Sequence, residues 1–181
     1  QASSNCQDGT SLIQTAEGAL QEIHSILQRM SELSTQAAND TNVSTDRDAI
    51  KLELTALSSE ITRIANQTEF NTMKLLSGKF QNKNLQVGAN NGQNISFSIS
   101  GMSSKILSVT NEQLKVSTYA AATLTICTVH KAINIVSTQR SALGALQNRL
   151  EHTIKNIDNV AENLQDAESG IRDTDMATEM V

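Results

Sequence analysis

Apolar residues in the first part of the chain recur at steps of three and four, from about Gln7 to Ala38. Such a 3.5-residue period is typical of a helix that packs lengthwise against other helices. The positions on this stripe are Ile13, Ala16, Leu20, Ile23, Leu27, Met30, Ser34 and Ala37. The turn-forming polar stretch Asn39–Ser44 then interrupts the period, so the first helix is expected to end there.

A second helix is predicted to begin at Thr45, whose side chain would cap the first turn, and to fade near Asn66. Asp46 and Asp48 would place carboxylates at the positive end of the helix dipole. The apolar stripe of this helix consists of Ile50, Leu54, Leu57, Ile61 and Ile64.

The strongest pattern in the chain is a heptad that predicts a helix from Ser117 to Ser169, about 80 Å long. Every seventh residue is large and aliphatic: Val129, Val136, Leu143, Leu150, Ile157, Leu164 and Ile171. A helix of this length cannot bury itself in a round domain, so we expect it to pack along the first two helices. Gly144 interrupts it, and we interpret this glycine as a point of close helix–helix approach.

The middle of the chain has a different pattern, with apolar and polar residues alternating at 85–88 and 94–99 around an Asn-Gly turn signal. A β-hairpin is predicted there, followed by an irregular connection. The predicted fold is mainly α: an elongated antiparallel bundle of three long helices with a small β-hairpin region at one end. We expect a single domain over 1–181, with a helical rod at 1–80 and 113–181 and the hairpin and connection at 84–112.

Composition excludes several classes of function. The chain carries 14 Lys and Arg against 19 Asp and Glu, a net charge of −5, and only 2% of its residues are aromatic. Because a basic face and stacking rings are both lacking, nucleic acid is not an expected partner. No apolar run approaches the ~20 residues of a membrane span, so no membrane partner is expected. The chain begins at Gln1 inside a helical pattern, which we interpret as a piece of a longer protein.

Residues that could support catalysis or metal binding are scattered along the chain. His24, His130 and His152 stand alone, and no nucleotide-binding loop, nucleophile elbow or zinc motif occurs. Cys6 and Cys127 fall near opposite ends of antiparallel helices, so we expect two free thiols. No enzyme activity, metal or cofactor is therefore predicted.

Several long blocks resemble the rod helices of bacterial flagellin. They lie in the same order as in that family and cover nearly the whole chain except about 101–125. The blocks are Gln7–Leu20, Ile26–Leu33, Gln36–Asn39, Thr68–Asn71, Val87–Asn90, Ser137–Leu150 and Glu168–Ala177.

The resemblance implies a structural subunit of the extracellular flagellar filament, used in motility, whose partners are other flagellin subunits. For the full-length protein it also implies a flagellar export chaperone and the filament cap. The terminal polymerisation helices of the family have no counterpart here, so this piece is expected to stay monomeric.

The resemblance further implies a recognition surface for the innate immune receptor Toll-like receptor five. Arg29 and Leu33, which are spaced to share a helix face, match the central residues of that surface. Gln28 and Gln36 match its amides, and Glu53 matches its acidic residue on the second helix. The same surface could instead serve only in subunit packing.

Two other interpretations compete with a filament subunit. A hook–filament junction protein, which is a hook-associated protein, has similar terminal helices. The intact blocks LQR at 27–29 and LGALQNR at 143–149 argue against it. A flagellin with an enzymatic insert would need a catalytic motif and a long insertion, and the chain contains neither.

Overall fold

The computed structural model describes residues 1–88, 90 and 92–179, with side chains as far as residue 172. Within these residues the chain forms three long helices and two small antiparallel sheets of two strands each. The elements are α1 (Ala2–Ala37), α2 (Ser44–Gln67), β1 (Glu69–Phe70), β2 (Met73–Lys74), β3 (Lys83–Gln86), β4 (Asn94–Phe97) and α3 (Tyr119–Glu179). The predicted fold class is confirmed.

Helix α1 lies in the middle of the bundle and packs against both other helices. It runs antiparallel to α3, since Glu17 faces Arg140 while Gly9, closer to the start of α1, lies beside Leu150 further along α3. All eight positions of the predicted α1 stripe are buried, including the polar Ser34. The hydroxyl of Ser34 donates to the carbonyl of Met30 at 2.7 Å, which satisfies it inside the core.

The heptad of α3 is buried over only part of its length. Val129, Val136, Leu143 and Leu150 are buried and Ile157 is partly buried. Leu164 and Ile171, however, are 65% and 73% exposed. The expectation that the first helices cover the whole heptad is therefore wrong. Helix α3 has 61 residues, about 90 Å, whereas α1 has 36, about 54 Å, so α3 extends beyond its partner.

The first turn of α2 differs from the prediction. Thr45 lies inside the helix, and the residue just before the helix is Val43. The backbone N–H of Val43 donates to the Asp46 carboxylate at 3.2 Å, so an acidic side chain in the first turn holds this end. The dipole argument for a carboxylate here was thus a better guide than the capping preference of threonine.

Arg47 ties the junction of the three helices together. Its side chain is nearly buried and bonds to the carbonyl oxygens of Ser117, before α3, and Asn39, after α1, at 3.3 and 3.4 Å. The carboxylate of Asp40 accepts a further bond at 3.3 Å. One guanidinium therefore fixes the end of α1 and the start of α3 against α2.

The predicted hairpin is β3 and β4, with Leu85 opposite Ile95 and Gln86 opposite Asn94. Residues 89 and 91 of its predicted turn lie outside the described residues. A second hairpin, β1 and β2, was not predicted; Asn71 and Thr72 form its tight turn at φ of 47° and 65°. The helical rod predicted for 1–80 therefore contains helix only as far as residue 67.

The connection after β4 follows a defined path along α2. The Thr62 and Ser104 hydroxyls lie 2.7 Å apart, and the Ser58 hydroxyl donates to the Val109 carbonyl, also at 2.7 Å. The segment thus runs antiparallel to α2 and covers it. Its buried apolar residues are Met102, Leu107, Val109, Leu114 and Val116. They follow neither a helical nor a strand period, which is why the pattern predicted only an irregular connection.

Two glycines differ in how closely other elements approach them. A Cβ built on Gly144 would have no neighbour within 4 Å, so the expected close helix approach there is wrong. A Cβ on Gly9 would lie 2.5 Å from Cδ2 of Leu85 and 3.5 Å from Cδ1 of Leu150. The close approach therefore occurs at Gly9 on α1, beside Leu85 of the β3–β4 hairpin and Leu150 of α3.

One described helix, α3, passes a length and hydropathy test for a membrane span, with a mean hydropathy of 1.2 over 18 residues. The core helix of a bundle passes the same test, and Val129 and Val136 pack in this core. The result is therefore weak evidence for a membrane-spanning role.

Candidate recognition surface on the first two helices

Arg29 is the central polar side chain of the candidate surface, and it bridges α1 and α2. Its Nη2 lies 2.9 Å from Oε1 of Glu53, and its Nε donates to the same oxygen at 3.0 Å. Nη1 donates to the Glu32 carboxylate at 3.2 Å, one turn further along α1. These contacts raise the pKa of Arg29, with the Glu53 hydrogen bond as the largest cause. The surface thus presents a permanently charged guanidinium in a fixed orientation.

The two predicted amides flank Arg29 on the exposed side of α1. The side-chain Nε2 of Gln28 lies 3.1 Å from Nε2 of His24. The backbone carbonyl of Gln36 accepts a hydrogen bond from the Asn42 side chain, which closes the α1–α2 turn. Both glutamines are exposed, as are Arg29 and Glu53. Four of the five predicted residues therefore lie on the surface.

Leu33 does not lie on that surface. It is 2% exposed and belongs to the core, so the expectation that it projects beside Arg29 is wrong. Residues four apart on a helix differ by about 40° around the axis. This offset turns Leu33 onto the buried stripe of α1, while Arg29 stays outside it.

Sequence reasoning missed an apolar residue on α2. Leu52 is 74% exposed and directly precedes Glu53. The available signal was its position outside the α2 stripe, because a leucine away from the buried face must point toward solvent.

The arrangement suits recognition better than catalysis. The Arg29 side chain is 51% exposed and that of Glu53 is 45% exposed, so neither sits in an enclosed cleft. Among the described residues, no group of three or more His, Cys, Asp or Glu could hold a metal ion. The predicted free thiols are confirmed, with Cys6 buried and Cys127 exposed.

An elongated bundle whose longest helix outruns its partner, with an open polar surface, defines a structural protein that works by contact with other proteins. Comparison with known proteins gives the family. Residues 1–81 match the bacterial flagellin N-terminal helical region, and residues 126–181 match the bacterial flagellin C-terminal helical region. The chain belongs to the bacterial flagellin family.

Individual relatives agree with this assignment. A flagellin of Halalkalibacterium halodurans is 50% identical over the whole chain, which covers 66% of that relative. The flagellar filament 33 kDa core protein of Treponema phagedenis is 41% identical, again over the whole chain and 68% of the relative. The chain thus spans about two thirds of their length. Flagellin is a structural protein family, which fits the expectation that the chain is not an enzyme.

Solved structures show the same fold. The crystal structure of Bacillus cereus flagellin superposes with a TM-score of 0.74 at 32% identity, covering 91% of this chain and 94% of that one. A putative flagellar hook-associated protein of Vibrio parahaemolyticus reaches 0.77 at 14% identity, covering 94% and 89%. The fold is therefore common to filament and junction proteins, and the higher sequence identity favours flagellin.

Proposed function

We propose that this chain forms part of the filament core outside the cell and packs side by side with other copies of flagellin to support motility. The observation that carries the proposal is the 50% identity to a flagellin over the whole chain. We further propose that residues 1–181 form one domain. In the full-length protein, the export chaperone and the filament cap are the expected additional partners.

The exposed end of α3 offers a sharp test of filament packing. Leu164 and Ile171 continue the buried heptad but are exposed, so a partner segment or copy would gain apolar contact there. The full-length gene would be expressed in a bacterial strain that lacks its own flagellin, and filaments would be counted by electron microscopy. We expect L164D to reduce filament number at least tenfold. N163D adds the same charge on the adjacent exposed position and should leave it unchanged.

Filament formation by the wild-type protein also distinguishes a filament subunit from a hook–filament junction protein. A filament subunit labels along the entire filament with an antibody against the chain, whereas a junction protein labels only at its base. Failure of the wild-type protein to form filaments, with label confined to the base, would replace the filament proposal with the hook-associated one. A normal number of filaments from L164D would instead show that the distal end of α3 does not take part in subunit packing.

We also propose that the chain is a ligand of Toll-like receptor five. The support is the exposure of Gln28, Arg29, Gln36 and Glu53 together with the fixed orientation of the Arg29 guanidinium. Leu33 would contribute from beneath, by holding α1 against the core. An arginine with several donors in one plane is a common hot-spot residue.

Binding to the receptor ectodomain tests this second role. We expect R29A to weaken binding more than tenfold, which corresponds to about 1.4 kcal/mol. R63A is the matched control, because Arg63 is a similarly exposed arginine that pairs with Glu60 on α2. No binding by any of the three chains would overturn the receptor assignment and leave the filament role intact. Equal affinity of the wild-type, R29A and R63A chains would overturn the assignment of the binding surface to Arg29. Sedimentation velocity on the same samples tests whether this chain alone is monomeric.

A further inference from the structure

A polar groove runs between α1 and α3, and it adjoins the Arg29 surface through the contact of Gln28 with His24. It is an open groove of about 410 Å³, lined by Glu17, His24, Ser137, Arg140 and Ser141. Two helices supply these side chains, so the groove exists only where α1 and α3 are packed together. We call it the His24–Arg140 groove.

Two buried nitrogen atoms of this groove have no hydrogen-bond partner among the described residues: Nε of Arg140 and Nδ1 of His24. Buried polar groups are almost always paired, so two such atoms lining one cavity need an explanation. Glu17 does not provide it, because its carboxylate lies 3.9 Å from Nη2 of Arg140, which is longer than a hydrogen bond.

Both unpaired atoms can donate. Arginine Nε always carries a hydrogen. The Gln28 amide nitrogen, a donor, lies 3.1 Å from Nε2 of His24, and in the tautomer in which Nε2 accepts this bond the ring hydrogen lies on Nδ1. Ser137 and Ser141 add two hydroxyl groups that can also donate. The groove therefore offers several donors, and the Glu17 carboxylate is its one group that can only accept.

We propose that the His24–Arg140 groove is a binding site for a carboxylate. Ionised carboxylate oxygens only accept hydrogen bonds, and a guanidinium forms its strongest hydrogen bonds with them. Arg140 and Glu17 together have no net charge, so a carboxylate leaves one negative charge in the groove, whereas sulfate leaves two. The site should therefore prefer a carboxylate over a divalent oxyanion. The ligand is either a small free carboxylate or an acidic side chain of a second copy of this chain.

The three histidines provide a built-in test in the wild-type chain. His24 lines the groove, whereas His130 and His152 are exposed on α3. Sodium acetate would replace sodium chloride at constant pH and ionic strength while the histidine ring resonances are followed by NMR. We expect a saturable shift of the His24 resonances with no comparable shift of the other two, and a weaker response to sulfate at the same ionic strength. No saturable His24 shift, equal shifts at all three rings, or tighter binding of sulfate would overturn the proposal.

Matched variants assign the effect to Arg140. R140Q should weaken acetate binding at least fivefold, while R149Q, which removes the same charge from an exposed position on α3, should leave it unchanged. R140K keeps the charge but lacks the Nε donor, so an intermediate affinity is expected. It also provides the test if R140Q fails to fold. Wild-type affinity in a folded R140Q or R140K chain would contradict the assignment.

Assembly of the full-length protein separates the two sources of the carboxylate. If a second copy supplies it, R140Q slows filament growth relative to R149Q; if the ligand is a free carboxylate, the two variants grow at the same rate. The NMR result does not depend on assembly. Failure of the wild-type protein to form filaments would therefore count against the filament proposal and not against the groove.

Discussion

Two parts of α3 carry the same heptad but lie in opposite surroundings. In the proximal segment, residues 129–150, the heptad positions are buried against α1. In the distal segment, residues 158–172, every described side chain is exposed, including the heptad residues Leu164 and Ile171. The comparison shows that a heptad specifies which face of a helix is apolar. Burial depends on whether another helix lies beside that face, which the pattern alone does not determine.

The largest expected difference between the two segments is in their local stability. Opening the proximal segment requires loss of its packing on α1, whereas the described side chains of the distal segment are all exposed. We expect the amide of Val136 to exchange with solvent at least about 1,000-fold more slowly, relative to the random-coil rate, than that of Leu164. Ile157, which is partly buried, should be intermediate. Protection factors of Val136 and Leu164 within tenfold of each other would show that the distal segment has a partner in this chain.

Truncating one leucine in each segment gives the next largest effect. L143A should lower the free energy of unfolding by about 2–5 kcal/mol, because it removes a side chain that is 2% exposed and leaves a cavity. L164A should change it by less than about 0.5 kcal/mol, as is usual at exposed positions. Urea unfolding followed by circular dichroism measures both values. Similar losses in the two variants would contradict the assignment of Leu164 to solvent.

The helices were predictable because their periodic stripes match the way the core is built. All of the α1 stripe and most of the α2 and α3 stripes pack inward. The segment after β4 was not predictable in the same way. Val109 and Leu114 are buried by the path of the chain along α2, fixed by bonds such as Ser58 to Val109, and no local period records that path.

The candidate surface was predictable only in part. The Arg29–Glu53 pair joins two antiparallel helices and came from the family resemblance. Leu33 was wrongly predicted to be exposed, because a spacing of four residues was taken to place two side chains on the same face. The two side chains differ by about 40° around the helix axis, which is enough to bury one and expose the other. No sequence pattern indicated the His24–Arg140 groove, because its residues are distant in sequence and come together only through α1–α3 packing.

Two glycines probe the two sides of the α1–α3 packing. Gly9 lies on the packed face of α1, and Gly144 lies on the open side of the proximal segment of α3. G9A should stabilise the chain less than G144A does, because alanine favours the helix but its Cβ would lie 2.5 Å from Cδ2 of Leu85, a side-chain end that must turn away. G144A should stabilise it by about 1 kcal/mol, since alanine favours the helix and no atom lies within 4 Å of the new Cβ. Thermal unfolding of both variants measures the two changes in stability. Destabilisation by G144A would place a partner on the open side of α3.

The smallest expected effect concerns Cys6, which lies near the boundary between the proximal and distal segments. Burial raises the pKa of the Cys6 thiol, and the negative charge of Asp158 raises it further. A thiol whose pKa is higher in the folded state stabilises the fold below the pKa of the unfolded thiol, about 8.5. That contribution is lost as pH rises toward the folded pKa, because the unfolded chain then releases its proton first.

The stability of the wild-type chain should therefore fall more steeply between about pH 8 and pH 10 than that of C6A. C127A should behave like the wild type, since Cys127 is exposed. Urea unfolding across this pH range measures all three slopes, and thiol labelling of the folded chain should modify Cys127 well before Cys6. Equal slopes for wild type and C6A, together with equally fast labelling of both thiols, would mean that α1 does not cover α3 as far as Asp158. The boundary between the two segments would then move back toward Leu150.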